Sequence, residues 1–471
     1  MIWARRLGIE LGTLLASLLK WTLLAAAAGI LAGASTSLFL TILAWAIAAA
    51  QSVAIPWLLL PLGFVVGALI VRVLAPDAEG HGTDKVIEAV HRQWGRIPFL
   101  VAPVKLVATV VTIAAGGSVG KEGPAAQIGA ALASALGRLL FLRRRDHRKL
   151  VVCGIGAGFA AVFGTPIAGS IFGVEVLVMG SLMYDVLYPS FVAGIVSYFV
   201  ARGLGTTYFH ETISAIPSVT EGLIVKLMLA GIVFGLVALL LIEAMRLSAA
   251  TARRLPGPRW IVAGLGGVVI AGLAAVTSTR YLGLGLDTLE DALRGNAVPL
   301  DASLMKIVFT AISLGVGGSG GIITPVFFIG ATAGSAVGTV LGMDRAMFAA
   351  IGMVSLLAAA ANAPIASAIM AIELFGPAVG PYAALSAVVS FLIVGHRSVY
   401  GSQLLGIVKS GTLVAPRGVA LERLTALATR NRTSRGRALL RAFRTRRRAR
   451  SAMASATTAA PSSGPKRGGS N

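Results

Sequence analysis

The chain has 471 residues, 56% of them apolar and only 13% charged, with a mean hydropathy of +0.84. That balance excludes a soluble globular domain and predicts a polytopic membrane protein built of helices; alternating strand patterns of about ten residues are absent, which argues against a β-barrel. Cys153 is alone, so no disulfide framework exists, and the formal charge of +22 is local: Thr412–Asn471 holds 14 of the 41 Lys and Arg with one acid, Glu422.

In chain order, Met1–Arg6 is short and basic, and Leu11–Leu31 is apolar apart from Lys20. Ala32-Gly33-Ala34 offers a cleavable-looking signal-peptide alternative, but hydrophobicity continuing through Ile47 and again over Ile55–Val73 favours retained spans. Asp77–Gly95 is a polar break that contains Gly80-His81-Gly82-Thr83-Asp84 and a short helix with His91 at its end. Phe99–Ala115 returns to the membrane carrying Lys105.

The stretch that follows, Gly116 to Gly129, reads G-G-S-V-G-K-E-G-P-A-A-Q-I-G and lies between two apolar runs. An ionisable carboxylate at membrane depth is costly, which makes Glu122 a functional candidate. Pro124 starts a helix whose free N–H groups and positive dipole end face the same spot, and such a helix start attracts anions. A glutamate held there is a tethered anion, able to fill the site or swing aside for a mobile one.

Arg143–Lys149 is a charge run of the kind found in cytoplasmic loops, and Val151–Met179 is apolar, broken at Gly164-Thr165-Pro166, and holds Glu175. Further spans are expected at Leu187–Val200, Gly222–Leu241, Ile261–Val276, Met305–Leu314, Pro325–Leu341, Phe348–Phe375 and Ala383–Val394. Several are too short to cross about 30 Å of hydrocarbon, and short segments broken by Gly and Pro predict half-helices lining a polar path.

An internal repeat supports this. Lys105 and Lys306 are 201 residues apart, and at the same offset Gly117, Ser118, Gly120, Pro124, Gly129 and Gly137 fall on Gly318, Ser319, Gly321, Pro325, Gly330 and Gly338. At offset 198, T-P-I-A-G-S-I-F-G-V-E (165–175) meets A-P-I-A-S-A-I-M-A-I-E (363–373). The membrane part is therefore read as two related halves, roughly 50–205 and 222–406, each supplying a Gly-rich, Pro-started helix. Glu175 and Glu373 recur in both halves and suit a structural task at a helix break, whereas Glu122 meets Ile323 and belongs to one half only.

Both G-G-S-V-G and G-G-S-G-G fit the G-x-S-x-G esterase pattern, which keeps a membrane hydrolase as a remote alternative. A nucleophile needs an oriented base, and His81, His91, His147, His210 and His396 all lie outside clear spans. There is no metal-binding pattern, and no cofactor is expected.

With these residues in view, the chain resembles the CLC family of chloride channels and chloride/proton antiporters over about Leu60–Gly406. The family motif G-[KR]-E-G-P is similar to Gly120-Lys121-Glu122-Gly123-Pro124, and G-x-F-x-P to Gly321-Ile322-Ile323-Thr324-Pro325. Lys105 in P-V-K, Glu175 after F-G-T-P-I-A-G, and Tyr400 also match. The resemblance implies an all-α polytopic fold of broken and tilted helices, a homodimer with one pore per subunit, and two oppositely oriented halves. It implies Glu122 as gate, backbone N–H groups of Ile322 and Ile323 and the Tyr400 hydroxyl as anion ligands, and Gly80, His81, Gly82, Lys121, Gly123 and Gly321 around the anion path. Lys105, Glu175 and Val176 are supporting positions.

Two departures matter. The family's G-S-G-I-P is replaced by Gly80–Asp84, so an imidazole stands where a serine hydroxyl is expected. His81 either faces the anion, making the site pH-sensitive, or turns away and leaves only loop amides. The relay glutamate of antiporters is replaced by Val176, as in the channel branch. The resulting expectation is a gated channel for chloride or similar small anions in an inner membrane, with chloride/proton exchange as the alternative. Residues 1–410 are expected to form the membrane domain, with both termini cytoplasmic, and 411–471 a basic, low-complexity, disordered cytoplasmic tail without CBS domains, facing lipid rather than nucleic acid.

Overall fold

The computed structural model describes residues 2–208, 210–211, 213, 217–218, 220–424 and 428–429; the basic tail from 430 onward lies outside them. The first half is built from helices α1 (Ile2–Gln51), α2 (Leu60–Leu74), α3 (Thr83–Arg92), α4 (Val101–Ala114), α5 (Glu122–Leu139), α6 (Arg144–Phe163), α7 (Pro166–Glu175) and α8 (Tyr184–Gly203). The second repeats the series with α9 (Glu221–Arg254), α10 (Arg259–Val276), α11 (Leu286–Leu293), α12 (Ala302–Gly315), α13 (Ile323–Val340), α14 (Arg345–Ala361), α15 (Pro364–Phe375) and α16 (Gly380–Ile393).

Packing repeats along with sequence. Helix α1 lies on α8 as α9 lies on α16, α5 on α6 as α13 on α14, and α2 on α4 as α10 on α12. The two halves meet through α2 with α10 and α7 with α15. Close approach of backbones uses matched glycines: a Cβ on Gly129 or Gly330 would stand 2.5 Å from the carbonyl oxygen of Gly154 or Gly352 respectively. Small residues of this kind let helices approach in a bilayer, where there is no hydrophobic force between them.

Among the described residues six helices are long and apolar enough to cross a membrane, and α1, α9 and α10 leave most of their apolar surface outside the protein core. By contrast α5, α6, α7, α13 and α14 are largely buried and form the centre. Helix α1 continues unbroken through Ala32–Ala34, with Ala32 buried and Gly33 packed against the Ser197 carbonyl of α8. Its 50 residues make a rod of about 75 Å at 1.5 Å per residue.

Two expected spans need correction. The apolar run Phe348–Phe375 is two helices, because Asn362 takes the left-handed conformation (φ 54°) and ends α14 before Pro364 starts α15. Asn tolerates that geometry and a residue before Pro avoids helix, so the chain breaks there as it does at Gly164 (φ 73°) in the first half. The run Gly222–Leu241 is extended to Arg254 in α9, since Glu243 and Arg246 pair along its polar face at 3.0 Å and do not interrupt the helix.

The fold is mostly helical, with four two-residue strands among the described residues. Strand β1 (Val178–Met179) after α7 pairs in parallel with β2 (Leu404–Leu405), and β3 (Leu413–Val414) pairs antiparallel with β4 (Ala428–Thr429). Ordered chain thus passes the expected boundary at 410: Leu421 is buried, and its N–H donates to the Gln403 carbonyl at 2.9 Å.

Candidate functional site

The starts of α5 and α13 meet at the centre. Gly120 and Gly321 exchange backbone hydrogen bonds, 2.7 Å from Gly120 N–H and 2.6 Å from Gly321 N–H. The loops before them are held reciprocally by α4 and α12. The Ser118 hydroxyl bonds Thr310 at 3.0 Å, and Ser319 bonds Thr109 at 3.3 Å. The N–H of Ser118 donates to the Ser313 hydroxyl and that of Ser319 to Thr112. Every bond has its partner at offset 201, so an approximate two-fold axis passes between the two helix starts. The serines of the esterase-like patterns are committed to this scaffold.

The two-fold breaks at Glu122. Its side chain leaves the start of α5 and crosses to the start of α13, where it accepts from the Thr324 N–H at 3.0 Å and from the Thr324 hydroxyl at 2.6 Å. Glu122 is 1% exposed. A carboxylate so buried requires donors, and the helix start supplies them with a positive dipole end. Room for it exists because residue 120 has no side chain: a Cβ there would lie 2.7 Å from Glu122 Oε2 and 2.8 Å from the Thr324 hydroxyl. The N–H groups of Ile322 and Ile323, expected to face the anion, have no acceptor among the described residues. Thr324 is the partner that sequence reasoning missed. Its only signal was a hydroxyl residue in the first turn of a helix in the half that lacks the acid.

Loop 80–82 closes the site from the side. Lys105 is fully buried and donates to the carbonyls of Ala78 (3.1 Å) and Gly80 (2.7 Å). Lys306 does the same for Tyr281 (3.0 Å) and Gly283 (2.9 Å) in the other half. These lysines anchor loops, and among the described residues neither pairs with a carboxylate. The His81 carbonyl and Gly82 press against Gly123, and neither contact would admit a Cβ. Lys121 is the N-cap of α5 and is partly exposed.

His81 lines a vestibule of about 820 Å³ together with Asp84, Arg246, Arg253, His396 and Glu422. Tyr400 and Thr83 are fully buried with their side chains next to one another, and neither hydroxyl has a well-aligned partner among the described residues. Asp84 accepts from the Ser402 N–H at 2.9 Å.

Glu175 lies elsewhere, at the contact of α7 with α15. Its carboxylate accepts from the N–H groups of Ile365 (3.1 Å) and Ala366 (2.8 Å), while Glu373 accepts from Ile167 (3.0 Å) and Ala168 (2.7 Å). Each glutamate thus caps the helix that carries the other. Val176 is fully buried, and its carbonyl accepts from Gln403 at 2.9 Å.

Beyond this geometry, the chain as a whole matches known proteins. The family model described as voltage gated chloride channel matches residues 62–395. A chloride/fluoride channel protein of Pseudomonas syringae pv. tomato is 39% identical over 401 residues, covering 83% of this chain and 88% of that protein. An H(+)/Cl(-) exchange transporter of Cronobacter sakazakii is 29% identical over 396 residues, covering 75% and 81%. The crystal structure of a CLC-type fluoride/proton antiporter superposes with a TM-score of 0.78 at 28% identity, over 82% of this chain and 98% of that one. This multi-pass membrane protein, an ion transporter rather than an enzyme, belongs to the voltage-gated chloride channel (CLC) family.

Proposed function

We propose that the protein conducts small halide ions, chloride or fluoride, and that the Glu122 carboxylate is the gate. The observation that carries this reading is the seat of that carboxylate on the start of α13, bonded by the Thr324 N–H and hydroxyl. A carboxylate and a halide ion compete for the same donors there. When Glu122 occupies the seat the path is closed, and when it is protonated or displaced the N–H groups of Ile322, Ile323 and Thr324 are open to the ion. The inner approach runs from the vestibule past His81 and the loop amides of Gly80 and Gly82 to Tyr400, with Gly123, Gly321 and Lys121 beside the gate.

Channel mode is favoured because Val176 has no group that passes a proton, and its carbonyl is committed to Gln403. Proton-coupled exchange is the second reading, supported by relatives named as an H(+)/Cl(-) exchange transporter and a fluoride/proton antiporter. The reading further includes a homodimer with one pore per subunit, oppositely oriented halves, an inner-membrane location with both termini cytoplasmic, and a basic tail that faces anionic lipid. Reconstitution of the full chain into liposomes loaded with potassium chloride or potassium fluoride tests it. Sustained, ionophore-dependent anion efflux is expected, and the absence of efflux of either ion refutes the reading.

A further inference from the structure

We propose that a second basic cavity, of about 270 Å³ between the ends of α3 and α5 and the start of α6, binds the phosphate group of an anionic phospholipid. This site is separate from the anion path. Trp94 and Arg96 line it from the turn after α3, Arg138 and Phe141 from the end of α5, and Arg144 and His147 from the start of α6. His147 is buried at its floor, with ring nitrogens 3.2 Å from the Trp94 carbonyl and 3.1 Å from the Ser134 carbonyl. The ring fits because residue 137 has no side chain: a Cβ there would stand 2.6 Å from the imidazole Cδ2. Arg138 is fixed through Nη1, which donates to the Ile97 carbonyl at 2.6 Å and to the Ser134 hydroxyl at 3.1 Å. The rest of its fork, like those of Arg96 and Arg144, has no acceptor among the described residues. The acids of this region are engaged elsewhere, Asp146 with Lys20 and Asp185 with Lys149. Three guanidinium groups around one cavity repel one another until an anion joins them, and their planar forks match phosphate oxygens in pairs.

The second half shows what the cavity lacks. At the repeat offset of 201, Asp344 stands for Arg143 and caps α14, accepting from the Met347 N–H at 2.7 Å. Arg345 keeps the charge of Arg144, but Thr339 and Phe348 stand for Arg138 and His147. Helix α6 has no side-chain cap. The acceptor that α14 carries in its own chain is thus left, at α6, to a ligand. The rim says which kind of ligand. Phe141 is 92% and Leu139 73% exposed, with Leu140 and Trp94 exposed beside them. Trp94 (φ 56°) and Phe141 (φ 49°) hold left-handed backbone that bulky residues rarely adopt. An apolar, aromatic rim around a basic centre suits a headgroup with its acyl chains, whereas a soluble phosphate would leave those side chains in water.

Native mass spectrometry of the purified full chain tests the assignment, with dioctanoyl phosphatidylglycerol, dioctanoyl phosphatidylcholine and inorganic phosphate as separate probes. Wild type should retain phosphatidylglycerol in preference to both other probes. The double variant Arg96→Gln, Arg144→Gln should bind it about thirtyfold more weakly, the effect of two arginines at a membrane surface. Arg143→Gln with Arg145→Gln removes the same charge from the same loop without touching the cavity lining, and should stay within about threefold of wild type because exposed charges are screened. Arg96→Gln alone, on the turn after α3, repeats part of the loss if the double variant is not monodisperse. Equal losses in the two double variants would make the effect one of loop charge and overturn the site. Equal retention of the two lipids would overturn it as well. Inorganic phosphate held as tightly as phosphatidylglycerol, and lost in the same variant, would overturn the lipid as occupant in favour of a free phosphate.

Discussion

Thr324 governs how firmly Glu122 holds its seat, since it supplies both hydrogen bonds that the crossing carboxylate makes on α13. Thr324→Val keeps the N–H and removes the hydroxyl. A hydrogen bond to a charged group contributes about 1.5–3 kcal/mol, so the gate should open at least tenfold more often. Single-channel or vesicle flux checks this, and an unchanged rate would mean that the hydroxyl does not hold the gate. Glu122→Gln removes the titrating group altogether. Acid protonates the carboxylate and releases the seat, so wild-type flux should rise as pH falls, while the glutamine variant should stay high and flat. Burial, with the Lys105 ammonium nearby, pushes the His81 imidazole down to about 4, so it is neutral at roughly pH 5.5 and 7.5 alike and His81→Ala should change anion entry by the same factor at both. A larger loss at the acid pH would mean that the imidazole carries charge there. Glu122 was legible as the acid without a counterpart in the second half. Thr324 was not, because its role exists only when two helix starts 201 residues apart meet face to face.

At the scale of elements, the exchanged caps of α7 and α15 are the clearest case of a repeated acid with a structural duty. Each of Glu175 and Glu373 accepts two backbone N–H groups at the start of the other's helix. Glu175→Gln and Glu373→Gln should each cost about 1–2 kcal/mol, as lost helix caps do, and lower the unfolding temperature in detergent by similar amounts. Anion selectivity should be retained in both. A change in proton movement confined to Glu175→Gln would instead make that residue a relay. The repeat itself was legible because Lys, Gly and Pro recur wherever backbone geometry demands them. The break between α14 and α15 was not read, since Asn362 there does what Gly164 does in the first half, and an asparagine inside an apolar run carries a weaker signal than a glycine. The length of α9 escaped for the opposite reason: a polar face on an exposed helix resembles a helix end when only hydrophobicity is followed.

At the scale of the whole molecule, two halves of closely similar packing build a symmetric scaffold and place one asymmetric acid at its centre. Symmetry supplies matched loop anchors, Lys105 and Lys306, and matched helix starts; asymmetry supplies a single crossing carboxylate rather than two. The proposed pairing of subunits predicts a two-chain particle by light scattering in mild detergent, and a one-chain particle that still conducts would remove the dimer from the account. The central claim is that anions pass under control of Glu122 without obligatory proton exchange. Its most direct test is simultaneous recording with anion and pH electrodes on liposomes loaded with potassium chloride and held near the potassium potential by an ionophore. The account predicts chloride efflux that follows its own gradient, no uphill proton movement in wild type, and faster, pH-insensitive efflux in Glu122→Gln. A fixed ratio of protons moved uphill for each chloride released would contradict it.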